Sequence, residues 1–172
     1  MGGEHEGARE RNLSRKIPST RAVIFLRENS IDFNPHFYKY DKDAVTEAAA
    51  KEIGVETNDV VKTLVMEDDE GKPFVVLMHG DKRVSTRSLA RTLGAKNVTA
   101  SDPRTAERLT GYIVGGISPF GTRRPIDVYV EESILSLPRI YINGGRRGFL
   151  VEISPEDLIR ALKPIVVNVA QL

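Results

Sequence analysis

Cysteine is absent from the 172 residues, which removes disulfides, a thiolate nucleophile and any cysteine-containing zinc cluster, and nothing points to an oxidising compartment. Stability has to come from packing. Histidine is scarce: His5, His36 and His79 lie far apart, without the short spacings that put two ligands on one helix face, so neither a metal site nor a cofactor is expected. No stretch approaches the roughly 20 apolar residues needed to cross a bilayer. The opening Met1-Gly2-Gly3-Glu4-His5-Glu6 has neither the apolar run of a signal peptide nor the arginine-rich, acid-poor bias of a transit peptide, and Glu6 breaks the myristoylation pattern. The expectation is a soluble, cytoplasmic protein without a membrane partner.

Charge of one sign is also lacking. A formal net charge of +1 does not announce a nucleic-acid partner, so local clusters have to carry any such argument. With 40% hydrophobic and 28% charged side chains, the chain suits one compact domain able to bury a core. Residues 1–17 are polar, charged and aperiodic and read as a disordered arm, leaving 18–172 as the folded domain.

Along that domain, Ser19 and Thr20 can cap a helix with Ala22, Phe25 and Leu26 on one face, ending near Asn29-Ser30. Phe37-Tyr38-Lys39-Tyr40 reads as a strand. Asp43 is placed to cap the clearest helix, where Val45, Ala48, Ala49, Glu52 and Ile53 show three-four spacing before Gly54. Val60 to Met66 and Pro73 to His79 form a hairpin around a polar, Gly-containing loop. Helices follow from Ser85 to Leu93 and from Pro103 to about Leu109, capped by Asp102. Strands are expected over Tyr112–Val114, Ile126–Val130, Arg139–Ile142, Phe149–Ile153 and Ile165–Val169, with a helix started by Ser154-Pro155-Glu156-Asp157 before the last. Hairpins interrupted by helices do not alternate as a doubly wound sheet does. The expected class is therefore α+β, a mixed, mainly antiparallel, barrel-like sheet flanked by helices.

Three features could carry chemistry. Strand alternation puts Lys62 on the same face as Val60, Leu64 and Met66. Such a lysine is either an edge residue whose stem packs while its ammonium reaches water, or a cation held in a pocket for a phosphate or a developing negative charge. The second feature is the run from Gly111 to Gly121, with Gly115, Gly116, Ile117, Ser118 and Pro119 at its centre. Glycines let a ligand approach the main chain, and successive amides can form an oxyanion concavity, although a hairpin loop would use ordinary turn glycines too. Thr122 stands where a phosphate-binding loop needs lysine, and Ser118 is not in a nucleophile elbow. The third is Asn143-Gly144-Gly145-Arg146-Arg147-Gly148, which with Arg123-Arg124 offers guanidinium groups either to the sugar-phosphate end of an RNA or simply to solvent. Tyr38 could stack on a base or sit in the core. His36 and His79 belong to no recognisable triad.

Taken in order, Val61-Lys62-Thr63-Leu64, Thr110 to Gly121, and Asn143 to Gly148 resemble the signature of the YbaK/EbsC family, related to the editing domain of bacterial prolyl-tRNA synthetase. The resemblance extends from about Ser19 to Leu162. It implies a trans-editing hydrolase that removes a wrong amino acid from mischarged tRNA, with aminoacyl-tRNA as substrate and a prolyl-tRNA synthetase as a further partner. Carried onto this chain, the family's lysine falls on Lys62, its threonine on Thr63, its substrate-lining tyrosine on Tyr38, and its glycine loop on Gly115, Gly116, Ser118 and Gly121. The resemblance further implies that the lysine engages the terminal nucleotide while loop amides hold the aminoacyl carbonyl, so that water or a substrate group can attack without a protein nucleophile. Ile117, Pro119, Asn143, Gly144 and Gly145 complete the expected substrate contacts, and Arg123, Arg124, Arg146 and Arg147 the RNA contacts. Asn143 and Leu150 depart from the pattern of cysteine-specific members, which leaves the amino acid open. A module that binds aminoacyl-tRNA or a synthetase without cleaving it is the rival reading.

Overall fold

A computed structural model describes residues 16–172. Apart from Lys16 and Ile17, the arm expected over residues 1–17 lies outside them, and Ile17 packs against the main core. Helix α1 (Arg21–Glu28) is capped by Thr20, whose hydroxyl accepts from the Val23 amide at 3.1 Å, and it buries Ala22, Val23 and Leu26. Helices α2 (Val45–Ile53), α3 (Thr86–Leu93), α4 (Pro103–Thr110) and α5 (Pro155–Leu162) follow in chain order. Ser85, Asp102 and Ser154 cap the last three through their side chains, as their sequence positions require.

The strands are β1 (Asn34–Phe37), β2 (Val60–Asp68), β3 (Pro73–His79), β4 (Arg83–Val84), β5 (Val98–Ala100), β6 (Asp127–Glu131), β7 (Ile140–Arg146), β8 (Phe149–Ile153), β9 (Ile165–Val167) and β10 (Ala170–Gln171). The main sheet runs β1-β8-β7-β2-β3-β6-β9, with β5 also on β2, and β4 pairs with β10 apart from it. Antiparallel pairs β1–β8, β7–β8, β2–β3 and β2–β5 outnumber the parallel pairs β2–β7, β3–β6 and β6–β9. This is the mixed, mostly antiparallel α+β sheet that the hairpin spacing predicts.

Alternation along β2 and β3 divides the interior. Val61, Val65, Val75 and Leu77 enter the main core with α1, whereas Val76, Met78 and Met66 join Leu89 and Ala90 of α3 on the other side. At the start of β2, Val60 packs instead with Ala49, Ala50 and Ile53 of α2 and with Tyr38, Tyr141 and Leu150. Lys62 therefore falls between the stretch of β2 covered by the α2 cluster and the stretch covered by the α3 cluster. A gap in the helical cover opens over it.

Several local expectations are corrected. The strand expected over Phe37–Tyr40 ends at Phe37, and Tyr38 keeps one main-chain bond to the Gly148 carbonyl at 3.0 Å. Asp43 does not cap α2: the N-cap position falls one residue later, on Ala44, and the Asp43 amide bonds to the Asp41 carboxylate at 2.9 Å. Tyr112–Val114 is no strand: none of the described strands pairs with it, and Tyr112 instead turns inward, its hydroxyl donating to the Phe120 carbonyl at 2.5 Å. Strand β7 continues to Arg146 through a bulge between Asn143 and Arg146, so the glycine turn is part of the sheet. The last expected strand splits into β9 and β10 because Glu131 captures the amides of Val169 and Ala170 at 2.7 and 3.0 Å.

Candidate active site

The gap over Lys62 is a cavity of about 280 Å3 whose lining includes Tyr38, Thr46, Lys62, Thr63, Gly115, Ile117 and Asn143. Lys62 is half-buried, and its ammonium donates to the Lys82 carbonyl at 2.5 Å. Burial pushes its pKa below the ordinary lysine value of 10.5; Asp81 opposes that shift and Arg83 adds to it. The Lys82 carbonyl sits in a turn held from behind. The Lys82 ammonium meets the Asn58 side chain at 2.8 Å, and the Asn58 carbonyl is 2.7 Å from Nδ1 of His79. On its other side His79 bonds to Ser133 at 2.7 Å, and the Ser133 hydroxyl donates to Glu131 at 2.9 Å. His79 and Glu131 are buried. A strand-end histidine without a triad thus anchors the turn that receives Lys62.

Opposite stands the loop after α4. Gly111 ends the helix in the left-handed region at φ 79°, and the Gly116 amide closes a turn onto the Ile113 carbonyl at 2.8 Å. Gly115 has φ 92°, where a side chain is strained, and a Cβ there would lie 2.6 Å from the Tyr40 hydroxyl. A Cβ on Gly116 would come within 2.9 Å of the Arg147 main-chain nitrogen, so these glycines let the loop lie flat on the β7–β8 hairpin. The amides of Gly115 and Ile117, both cavity-lining residues, have no acceptor among the described residues. Arg147 fixes the loop from outside, its Nε donating to the Val114 carbonyl at 2.9 Å and its guanidinium lying 4.8 Å over the Tyr40 ring.

The remaining expected residues divide by place. Asn143 reaches the cavity but spends its amide on the two loops. Gly116, Gly144 and Gly145 support the lining without joining it, and Gly121 packs on α1. Ser118 and Pro119 are buried, and the Ser118 hydroxyl accepts from the Phe120 amide at 3.2 Å, so they shape the turn. Arg123 and Arg124 are exposed, line none of the described cavities, and tie their main chain to Thr110 and Leu109. Arg146 and Arg147 line a separate cavity with Tyr38.

Lining residues not among the expected site residues are Val45, Thr46 and Ala49 of α2, which form a wall, and Val114; Leu150, noted in the sequence only as a departure from the cysteine-specific pattern, also lines the cavity. Val45 and Ala49 carried a helical-spacing signal, but spacing cannot tell a core face from a cavity wall. A third cavity of about 260 Å3 shares Thr63, Leu64, Val114 and Ile117 with the first. Thr63 Oγ1 and Ser101 Oγ at its margin are buried without a hydrogen-bond partner. Among the described residues no cluster could hold a metal ion, and no helix is long and apolar enough to cross a membrane.

The signature of the aminoacyl-tRNA editing domain family matches residues 42–161, which take in α2, Lys62, the glycine loop and the β7–β8 hairpin. The chain belongs to that family. Among editing-domain relatives, it is 27% identical over 141 residues to a protein of Enterococcus faecalis named "Putative Cys-tRNA(Pro)/Cys-tRNA(Cys) deacylase EbsC", covering 81% of this chain and 86% of that one. A segment amounting to 15% of a proline–tRNA ligase from Brachyspira hyodysenteriae is 26% identical over 86 residues, half of this chain. In three dimensions the editing fold superposes on the crystal structure of the hypothetical protein APE2540 with a TM-score of 0.79, at 29% identity, over 88% of this chain and 99% of that one.

Proposed function

We propose that this editing domain is an aminoacyl-tRNA deacylase, hydrolysing the ester between a wrong amino acid and the terminal ribose of a tRNA charged for proline. The observation that supports the reading is the meeting of Lys62 with Gly115 and Ile117 around one cavity large enough for a small amino acid on a ribose. The ammonium is suited to the anionic, oxygen-rich nucleotide end, and the unpartnered loop amides to the carbonyl oxygen as it gains charge. Water adds to the carbonyl carbon, and the bond from that carbon to the ribose oxygen breaks. The water's hydroxyl stays on the amino acid and its proton passes to the ribose. No side chain in the lining is a ready nucleophile, so positioning and charge stabilisation carry the rate. The likeness to a proline–tRNA ligase segment supports a synthetase that supplies the mischarged tRNA, in the cytoplasm where translation runs.

A panel of tRNAs carrying cysteine, alanine, serine, threonine or proline, with the amino acid labelled, tests this. At least one ester is expected to be cleaved, and Lys62→Ala to slow it on the order of 100-fold or more without unfolding the chain. Binding of the panel with no release of any amino acid would leave a binding module instead.

A further inference from the structure

A second cavity, about 290 Å3, lies beside the Lys62 site and plays no part in ester cleavage as described; its lining includes Lys16, Phe37, Tyr38, Arg146, Arg147 and Phe149. All its charged lining residues are basic. Arg147 is engaged with the Val114 carbonyl and the Tyr40 ring, but the side chains of Arg146 and Lys16 are exposed and form no ion pair or hydrogen bond among the described residues. The wall is aromatic. Phe37 stacks on the buried Phe149 at 5.3 Å and 24°, and Phe37 itself is half-buried. Tyr38 borders both cavities, so a chain whose end occupies one can continue into the other.

Cationic side chains beside an aromatic surface fit a nucleotide, the phosphate meeting the guanidinium and ammonium while the base lies on the ring. We propose that this cavity seats the nucleotide that precedes the aminoacylated one, with the linking phosphodiester on Arg146 and Lys16 and the base against Phe37. The assignment rests on the deacylase reading, which supplies the RNA end and its direction. It also gives the hairpin two roles: Arg147 holds the catalytic loop, and Arg146 holds the RNA.

Binding and turnover test it separately. Titrating the full chain with cytidylyl-3′,5′-adenosine and with adenosine is expected to show the dinucleotide binding about tenfold tighter or better, with an affinity that falls as salt is added. The double variant Lys16→Ala, Arg146→Ala, whose unchanged melting temperature verifies its fold, is expected to lose most of that advantage. Equal affinity for the two probes in the parent, or an advantage kept by the double variant, would overturn the assignment. So would a phosphoserine peptide that binds as tightly as the dinucleotide. In turnover, the ratio of kcat/KM for an aminoacyl-minihelix to that for the aminoacyl-adenosine is expected to fall about tenfold in the double variant. A ratio that does not move while both esters are cleaved sinks the nucleotide seat and spares the deacylase; dinucleotide binding as expected with no ester cleaved does the reverse.

Discussion

The side-chain amide of Asn143 joins the two loops that frame the Lys62 cavity: its Nδ2 donates to the Gly115 carbonyl at 3.1 Å, while its Oδ1 accepts from the Gly145 amide at 2.7 Å and the Arg146 amide at 3.2 Å. Asn143 is buried, so these bonds have no ready replacement in water. Besides the substrate contact expected of it, Asn143 therefore holds the two loops in register. Asn143→Ala is predicted to cost about 1–3 kcal/mol of stability by orphaning buried groups. Asn143→Asp keeps the acceptor but turns an oxygen toward the Gly115 carbonyl, and is predicted to lower kcat by at least about tenfold. Chemical denaturation and single-turnover deacylation check the two. A variant with the parent's kcat but a changed amino-acid preference would return Asn143 to the substrate.

Thr63 supplies a cleaner test of substrate contact. Its hydroxyl is buried without a partner in the wall shared by two cavities, and an unsatisfied hydroxyl replaced by a methyl of the same shape costs nothing in stability. Thr63→Val is expected to hold or raise the melting temperature and to lower kcat/KM by about 5- to 20-fold, the worth of one or two kcal/mol of hydrogen bonding. Undiminished kcat/KM would show that the substrate leaves the hydroxyl alone.

The charge on Lys62 sets a pH limit. Burial lowers its pKa, and the proposed role needs the ammonium, so activity is lost as pH rises through that lowered value. Measured against uncatalysed ester hydrolysis at each pH, kcat/KM should turn down below the range of an ordinary lysine. Lys62→Arg, which stays protonated, should remove the downturn even if its overall rate is lower. A profile of the same shape in both proteins would detach the limb from Lys62.

Behind the cavity, burial raises the pKa of Glu131, but hydrogen bonds from the amides of Val169, Ser133 and Ala170 and from the Ser133 hydroxyl outweigh it and hold the pKa below the ordinary 4.5. A depressed folded-state pKa adds stability that is complete above the unfolded value and disappears as pH falls through the folded one. Glu131→Gln is therefore predicted to weaken the protein by about 1–3 kcal/mol near neutrality and to flatten the acid side of its stability curve. Denaturant melts across the acid range measure both. His79→Ala, which breaks the same network nearer Lys82, should also raise KM, since the Lys82 carbonyl that positions Lys62 loses its support.

Much of this was legible in the chain. Among the described residues, apolar spacing located the helices and caps marked the starts of α1, α3, α4 and α5, because a capping hydroxyl or carboxylate next to an apolar stripe is a local signal. Lys62 announced itself by alternation, as a charge on an apolar face. The missed pieces were non-local. The short strands β4, β5 and β10 carry two or three residues each, too few for a period, and exist only because a neighbour offers hydrogen bonds. Tyr112–Val114 has strand composition but no such neighbour.

Sequence by itself determined which residue types were available for chemistry: no thiolate, a lone lysine on an apolar strand face, and glycines wherever two loops had to touch. Only tertiary structure decided what those residues face. It turned Ser118 inward, gave the Asn143 amide to the loops, and placed α2 as a cavity wall. A side chain's covalent nature is written in the chain, whereas its exposure and partners depend on segments as distant as Gly115 and Asn143, brought together by a sheet whose register no local pattern encodes.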